Sequence, residues 1–261
     1  KNFKKLSTDF EIKKEQEQVI LKIHNIEHKA SIIIACDGAN SMVRENIEID
    51  VLKHDFKQTA LSFELKVKFE IQKQAIQFFL KESILAVLPI RKGLVSIVWS
   101  CDYQFFEKLN NLDDKSIEHE LNLIIGNYYK DIKITTKKES FPLYMNSVER
   151  VFKDRVLLVG DAAHFVHPMA GQGLNLGIRD IISLEKNIDK KDYMDIGLRG
   201  FLRKYERARK EDVSQIGYLT LGLNWIFSKK SSIVIGMIEK GMSMLDKSKF
   251  LKQQLIKKAI S

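Results

Sequence analysis

Cysteine is scarce: Cys36 and Cys101 are the only two in 261 residues. That is too few for a disulfide framework, and their spacing fits no zinc motif, so a reducing cytoplasmic compartment is expected. Three prolines and 13 glycines exclude collagen-like and low-complexity chains. No apolar run approaches the ~18–20 residues of a membrane span; SIIIAC and VLLVG have the length of core strands. Residues 1–30 contain no glycine, and no G-x-S-x-G nucleophile signature occurs anywhere. The chain enters at Lys1 on a charged segment without an apolar leader, which reads as a processed chain or a fragment.

What is present is a globular composition. Hydrophobic residues make up 44%, enough for a sizeable core in one large domain or two ordinary ones. The formal charge of +9, from 43 Lys and Arg against 34 Asp and Glu, is concentrated at the end. Residues 229–261 hold eight lysines against Glu239 and Asp246, a net +6. With no Arg-rich stripe and no RNA-reading aromatic motif, nucleic acid is not expected as a partner. From Ile233 onward the tail has one apolar helical face, and its charge suits an anionic membrane surface or packing on its own domain.

VILKI and SIIIAC are short β-branched runs, the second continuously apolar, as in a strand buried on both faces. TALSFELKVKF, QAIQFFL and LVSIVWS alternate, with ILAVLPI a more continuous run between them, predicting antiparallel strands with one covered face. Residues 105–129 show helical spacing for one or two helices. RVLLVG is a second buried strand, helical spacing resumes from Leu174, and everything after Asp192 reads as helix. No repeat of fixed period occurs.

Two segments carry chemistry. In SIIIACDGANSMVRE, a strand ends in Asp37-Gly38 and runs into N-cap residues Asn40 and Ser41 and a short helix bearing Arg44. A carboxylate beside a glycine at a strand end, backed by helix amides, can hold a ligand rich in hydroxyls or phosphates; it can equally be a capped turn. In RVLLVGDAAHFVHPMAGQGLNLGIRD, Gly160-Asp161 ends the other strand, and Gly171-Gln172-Gly173 opens a helix. Gly171, Gly173 and Gly177 do not form a dinucleotide fingerprint, because about a dozen residues separate them from the strand. They leave a helix N-terminus suited to partial negative charge. His164 and His167 lack the partners of a metal site and read as loop histidines contacting backbone or ligand. Cys36, inside an expected buried strand, reads as a structural thiol.

Together, CDGANSMVRE and VGDAAHFVHPMAGQGLNLGIRD resemble the two downstream flavin motifs of the class A FAD-dependent aromatic hydroxylases. Their order, and the strand-rich segment of about 120 residues between them, match that family. ILAVLPI, VSIVWS, FPLY and YERARKEDV are most similar to its ubiquinone-biosynthesis hydroxylases. The resemblance implies an α/β FAD-binding domain like that of para-hydroxybenzoate hydroxylase, incomplete at the N-terminus. It would carry an inserted mixed or antiparallel β-sheet substrate domain and C-terminal helices. The implied parts are 1–57 (end of the first FAD segment), 58–143 (substrate domain), 144–190 (second FAD segment) and 191–261 (helical region). The family's G-x-G-x-x-G unit and its following acidic residue are missing.

The resemblance also implies roles. Asp37, Gly38, Ser41 and Arg44 would lie by the FAD pyrophosphate and the approach of the nicotinamide. Asp161 would bond a ribityl hydroxyl, with Gly160 allowing close approach. Pro168 would lie against the isoalloxazine, and Gly171, Gln172, Gly173, Leu174 and Asn175 would present amides to its pyrimidine end. Phe78, Trp99 and Pro142 are candidates for lining an aromatic pocket. The implied activity is hydroxylation of a polyprenylated phenol in ubiquinone biosynthesis through a flavin C4a-hydroperoxide, with NAD(P)H or another donor and molecular oxygen. No protein nucleophile is needed. Alternatives are a hydroxylase or reductase of another substrate, or a non-catalytic subunit of a quinone-biosynthesis complex. Such a complex and the inner face of a membrane are the implied partners.

Overall fold

The computed structural model describes residues 10–24, 26–70, 74–166, 172–188, 195–228, 248 and 253. His167, Pro168, Gly171 and nearly all of the basic tail at 229–261 lie outside them. In chain order, the strands β1 (Phe10–Lys14), β2 (Val19–Ile23) and β3 (Ile26–Ala30) form an antiparallel meander. There follow β4 (Ile33–Ala35), α1 (Met42–Asn46), β5 (Val51–Lys66), β6 (Phe69–Glu70), β7 (Ile76–Phe79), β8 (Ser83–Arg91) and β9 (Leu94–Asp102). Helices α2 (Tyr103–Asn110) and α3 (Asp114–Ile125) precede β10 (Tyr129–Lys130), β11 (Lys133–Ile134), β12 (Glu139–Val148), β13 (Phe152–Lys153) and β14 (Val156–Leu158). A single 3-10 turn at Gly160–Ala162 leads to β15 (His164–Phe165), α4 (Gly173–Ile188) and α5 (Arg199–Ser228).

The larger sheet runs β15-β12-β5-β9-β8-β7, with β11 also on β5. Its alternation fixes which face is covered. Leu61, Phe63, Leu65, Leu85, Val87, Val95, Ile97 and Trp99 point to one side, where Leu109 of α2 and Ile117, Leu121 and Ile125 of α3 seal them. Side chains recurring at three and four residues give α3 one apolar stripe, and Asp102 and Asp113 cap the two helices by accepting from Phe105 and Ser116 amides, both at 2.9 Å. Strands β5 and β12 run unbroken through positions 57/58 and 143/144. The pairing passes there from Leu143–Gln58 to Tyr144–Asp55, leaving Phe56 and Lys57 as a bulge.

The smaller sheet, β13-β14-β4, holds the parallel pair β4/β14. β14 is buried on both faces: Val156 and Leu158 pack toward α1 and the meander, Leu157 and Val159 toward α4 and α5. β4 departs from the expectation of full burial, since Ile34 is 40% exposed and Cys36 is exposed. The reason is its place: among the described residues β4 pairs with β14 alone, so its other edge has no described strand beside it. Cys36 is therefore a surface thiol just past a strand end, not a core residue. No helix of the described residues is long and apolar enough to cross a membrane.

Candidate functional site

Parallel pairing of Ala35 with Leu158 brings the two Asp-Gly pairs out side by side at the carboxyl ends of neighbouring strands, where open α/β sheets bind their ligands. Both turns need a positive φ, +88° at Gly38 and +62° at Gly160, conformations that side chains rarely adopt. A Cβ at Gly38 would meet nothing within 4 Å, so that turn faces open space.

Arg44 joins the two motifs. Its guanidinium is 5% exposed and donates to the Ala162 carbonyl from one terminal nitrogen and to the Ala39 carbonyl from the other, both at 2.9 Å. Its Nε–H is buried without an acceptor. Asp37 and Ser41 serve the local fold: the Asp37 carboxylate accepts from the Val43 amide at 3.1 Å, and the Ser41 hydroxyl caps α1 by accepting from the Arg44 amide at 2.9 Å. The capped-turn and ligand-turn readings of this segment therefore coexist.

Asp161 stands exposed on its turn and accepts no hydrogen bond among the described residues. Loss of surrounding water raises its carboxyl above the ordinary carboxylate value, while His164 pulls it back. Behind the turn, α4 approaches closely because Gly177 has no side chain; a Cβ there would lie 3.7 Å from the Gly160 Cα. At the other end of the same helix, Gln172, Gly173 and Asn175 are half-buried and Leu174 is exposed. Among the described residues, the Leu176 amide donates to the Gln172 carbonyl at 2.8 Å, and the amides of 173–175 precede it in the helix's first turn.

The support for this turn is a buried network that the motif reading missed. Asp180 of α4 is 1% exposed. It accepts from the Gly160 amide at 2.8 Å, from His164 Nε2 at 2.7 Å and from Arg209 Nε of α5 at 2.6 Å. Burial alone would raise the Asp180 carboxyl, but the bonds from His164, Gly160 and Arg209 outweigh it and hold it below the usual carboxylate range. Arg209, although desolvated, is raised by Asp180 and Asp212. His164 thus contacts a carboxylate, a partner that its loop position did not suggest. The sequence carried a signal: Leu176, Asp180, Leu184 and Asn187 share the inward face of α4, and an Asp in an apolar helical stripe requires a partner.

The remaining candidates lie apart. Trp99 is fully buried in the sheet core, its indole donating to the Ser83 hydroxyl at 3.0 Å. Phe78 packs at the margin of that core, edge-on to Tyr128. Pro142 is exposed on β12 opposite Thr59. No group of three or more metal-ligating side chains occurs among the described residues.

A family profile described as an FAD binding domain matches residues 7–216. The chain is 28% identical to the ubiquinone biosynthesis monooxygenase COQ6, mitochondrial, of Dictyostelium discoideum, an alignment covering 87% of this chain and 55% of that protein. It is 27% identical to the ubiquinone hydroxylase UbiL of Rhodospirillum rubrum, covering 89% of this chain and 54% of the relative. Among solved structures it is similar to the Diels-Alderase PyrE3, with TM-score 0.71 at 18% identity over 96% of this chain and 55% of that one. It is also similar to pqsL, a probable FAD-dependent monooxygenase from Pseudomonas aeruginosa, with TM-score 0.68 at 19% identity over 85% and 64%. At those identities the structures establish the fold. The chain spans about half the length of the curated relatives it matches.

Proposed function

Since the chain belongs to the FAD-binding-domain family, we propose that it forms the ribityl, flavin and substrate-sheet portion of an FAD-dependent monooxygenase that hydroxylates the ring of a polyprenylated phenol in ubiquinone biosynthesis. The observation that carries this reading is the joining of the two Asp-Gly turns, 123 residues apart in sequence, at one sheet end by Arg44. The substrate class comes from the names of the two relatives, with NAD(P)H or another donor and oxygen as co-substrates.

The residues fit the cofactor. Asp161 offers an exposed acceptor to ribityl hydroxyls, and Gly160 keeps the turn free of side chain. Arg44 retains a buried positive charge and one donor beside the Asp37-Gly38 turn, as a pyrophosphate neighbour requires. The first-turn amides of Gly173, Leu174 and Asn175 complement negative charge at the pyrimidine end by about 1 kcal/mol or more in a dry site. When bound, the flavin supplies the oxygen chemistry; this chain orients it and excludes water. Ile34 of β4, which among the described residues pairs with β14 alone, and Ile178, Ile181, Ile182 and Ile188 of α4 are exposed, apolar surface that a further part of a longer protein would cover.

The test is Asp161→Ala in the natural full-length protein. The expected result is FAD affinity weakened by roughly tenfold or more, the loss of one or two charge-assisted hydrogen bonds, with the thermal midpoint of the apoprotein unchanged because the carboxylate holds nothing else. Wild-type FAD occupancy in the variant would remove the ribityl assignment.

A further inference from the structure

Asp180 divides its two carboxylate oxygens in a way that a plain ion pair would not. Oδ1 accepts from Arg209 Nε of α5 at 2.6 Å, while Oδ2 accepts from the Gly160 amide at 2.8 Å and from His164 Nε2 at 2.7 Å. A guanidinium that meets a carboxylate side-on donates from Nε and the neighbouring terminal nitrogen to both oxygens. Here that neighbour, Nη2, is buried with no acceptor among the described residues, and Nη1 is turned to Asp212 at 2.6 Å. Arg209 is only 4% exposed, so the unmet N–H groups cost free energy. What the arrangement gains is an oxygen kept for the Gly160 turn.

That oxygen clips together the two ends of residues 160–164, the segment that carries Asp161. At its start the Gly160 amide is held by Asp180, and the Gly160 carbonyl accepts from the Ala163 amide at 2.9 Å. Both peptide planes around the +62° φ of Gly160 are therefore fixed. At its end His164 is held by the same oxygen. The Asp161 carboxylate has no hydrogen-bond partner of its own among the described residues, so the direction in which it leaves the turn comes from this clip. The contacts that set the clip begin outside both Asp-Gly motifs: Asp212 holds one end of the Arg209 fork, and Arg209 Nε holds Asp180 Oδ1, which leaves Oδ2 facing the turn.

We propose that Arg209 of α5 is a positioning residue for FAD, setting through the Asp180 carboxylate the turn that aims Asp161 at the ribityl hydroxyls. The proposal rests on the ribityl reading of Asp161. It gives α5, which belongs to neither flavin motif, a part in cofactor affinity.

The experiment is a double-mutant cycle in the natural full-length protein, with FAD affinity measured by flavin fluorescence and the thermal midpoint of each apoprotein recorded beside it. Arg209→Lys keeps the positive charge next to Asp180 but loses the planar fork that reaches Asp180 and Asp212 at once. It should weaken FAD about tenfold while Asp161 is present, the scale of one hydrogen bond. In the Asp161→Ala background, where nothing is left to aim, the same change should alter affinity by less than about twofold. In the apoprotein the Gly160 amide proton resonance should move upfield as its bond to Asp180 loosens. Asp212→Ala, at a side chain 45% exposed, should act in the same direction by about threefold, and it carries the cycle if Arg209→Lys does not fold. A role in stability alone lowers the thermal midpoint and weakens FAD by one factor in both backgrounds. That result, wild-type FAD affinity in Arg209→Lys, or a Gly160 amide that stays in place overturns the proposal and leaves the ribityl reading standing; wild-type affinity in the single Asp161→Ala variant overturns both.

Discussion

Asp180 receives three hydrogen bonds in a space that water hardly reaches, and the balance of terms there sets a pH dependence. Its folded pKa lies below the unfolded value of about 4. The unfolded chain therefore binds the proton more readily, and the contribution of Asp180 to stability is complete above about pH 5 and is lost as acid carries it through the depressed folded value. Asp180→Asn removes the charge that Arg209 and the Gly160 amide rely on, and should cost about 3–5 kcal/mol at neutral pH, the scale of breaking a buried pair. Denaturant unfolding of wild type and variant across pH 2–7 measures it. The gap should be constant from pH 5 to 7 and narrow below pH 4; a gap that widens in acid contradicts the assignment. Both thiols are held toward the protonated form: burial pushes the Cys101 thiol up to about 12, and loss of water with Asp37 and Asp180 nearby raises Cys36 as well.

At the scale of elements, the strands and helices that bury one periodic face were legible from the sequence. β14 is apolar at every position because both faces are covered, the alternation in β5, β7 and β9 matches a sheet with α2 and α3 on one side, and α4 begins where Gly173 and Leu174 opened the helical pattern. Three things were not fully legible. The exposure of β4 depends on which strands flank it and the bulge at Phe56 and Lys57 on the register of β12, and neither leaves a trace in local spacing; of the His164–Asp180–Arg209 network, local spacing marks only Asp180 in the apolar stripe of α4. The glycine pattern was visible, but its use was not: Gly177 serves helix-to-turn packing. Gly177→Ala should accordingly be neutral or stabilising by up to ~1 kcal/mol through helix propensity, since the added methyl finds ordinary contact at 3.7 Å. Gly177→Leu should cost about 1–3 kcal/mol by overpacking against the Gly160 turn. Equal stabilities of the Ala and Leu variants in a urea titration would show that α4 does not press on the turn.

For the whole molecule, the long strands β5 and β12 pass without interruption from the sheet sealed by α2 and α3 to the region of the two Asp-Gly turns, so the proposed substrate-side sheet and the proposed cofactor turns are mechanically continuous. Among the described residues, Ile34 of β4 and four isoleucines of α4 leave apolar surface exposed, and the chain spans about half the length of the relatives it matches. The central claim is that these turns hold FAD within such a longer protein. Its most direct measurement is the visible absorption spectrum of the purified natural full-length protein, before and after incubation with FAD and removal of the excess. The account predicts oxidised-flavin bands with about one FAD per chain. A protein that stays colourless after incubation, with folded secondary structure intact by circular dichroism, would contradict it.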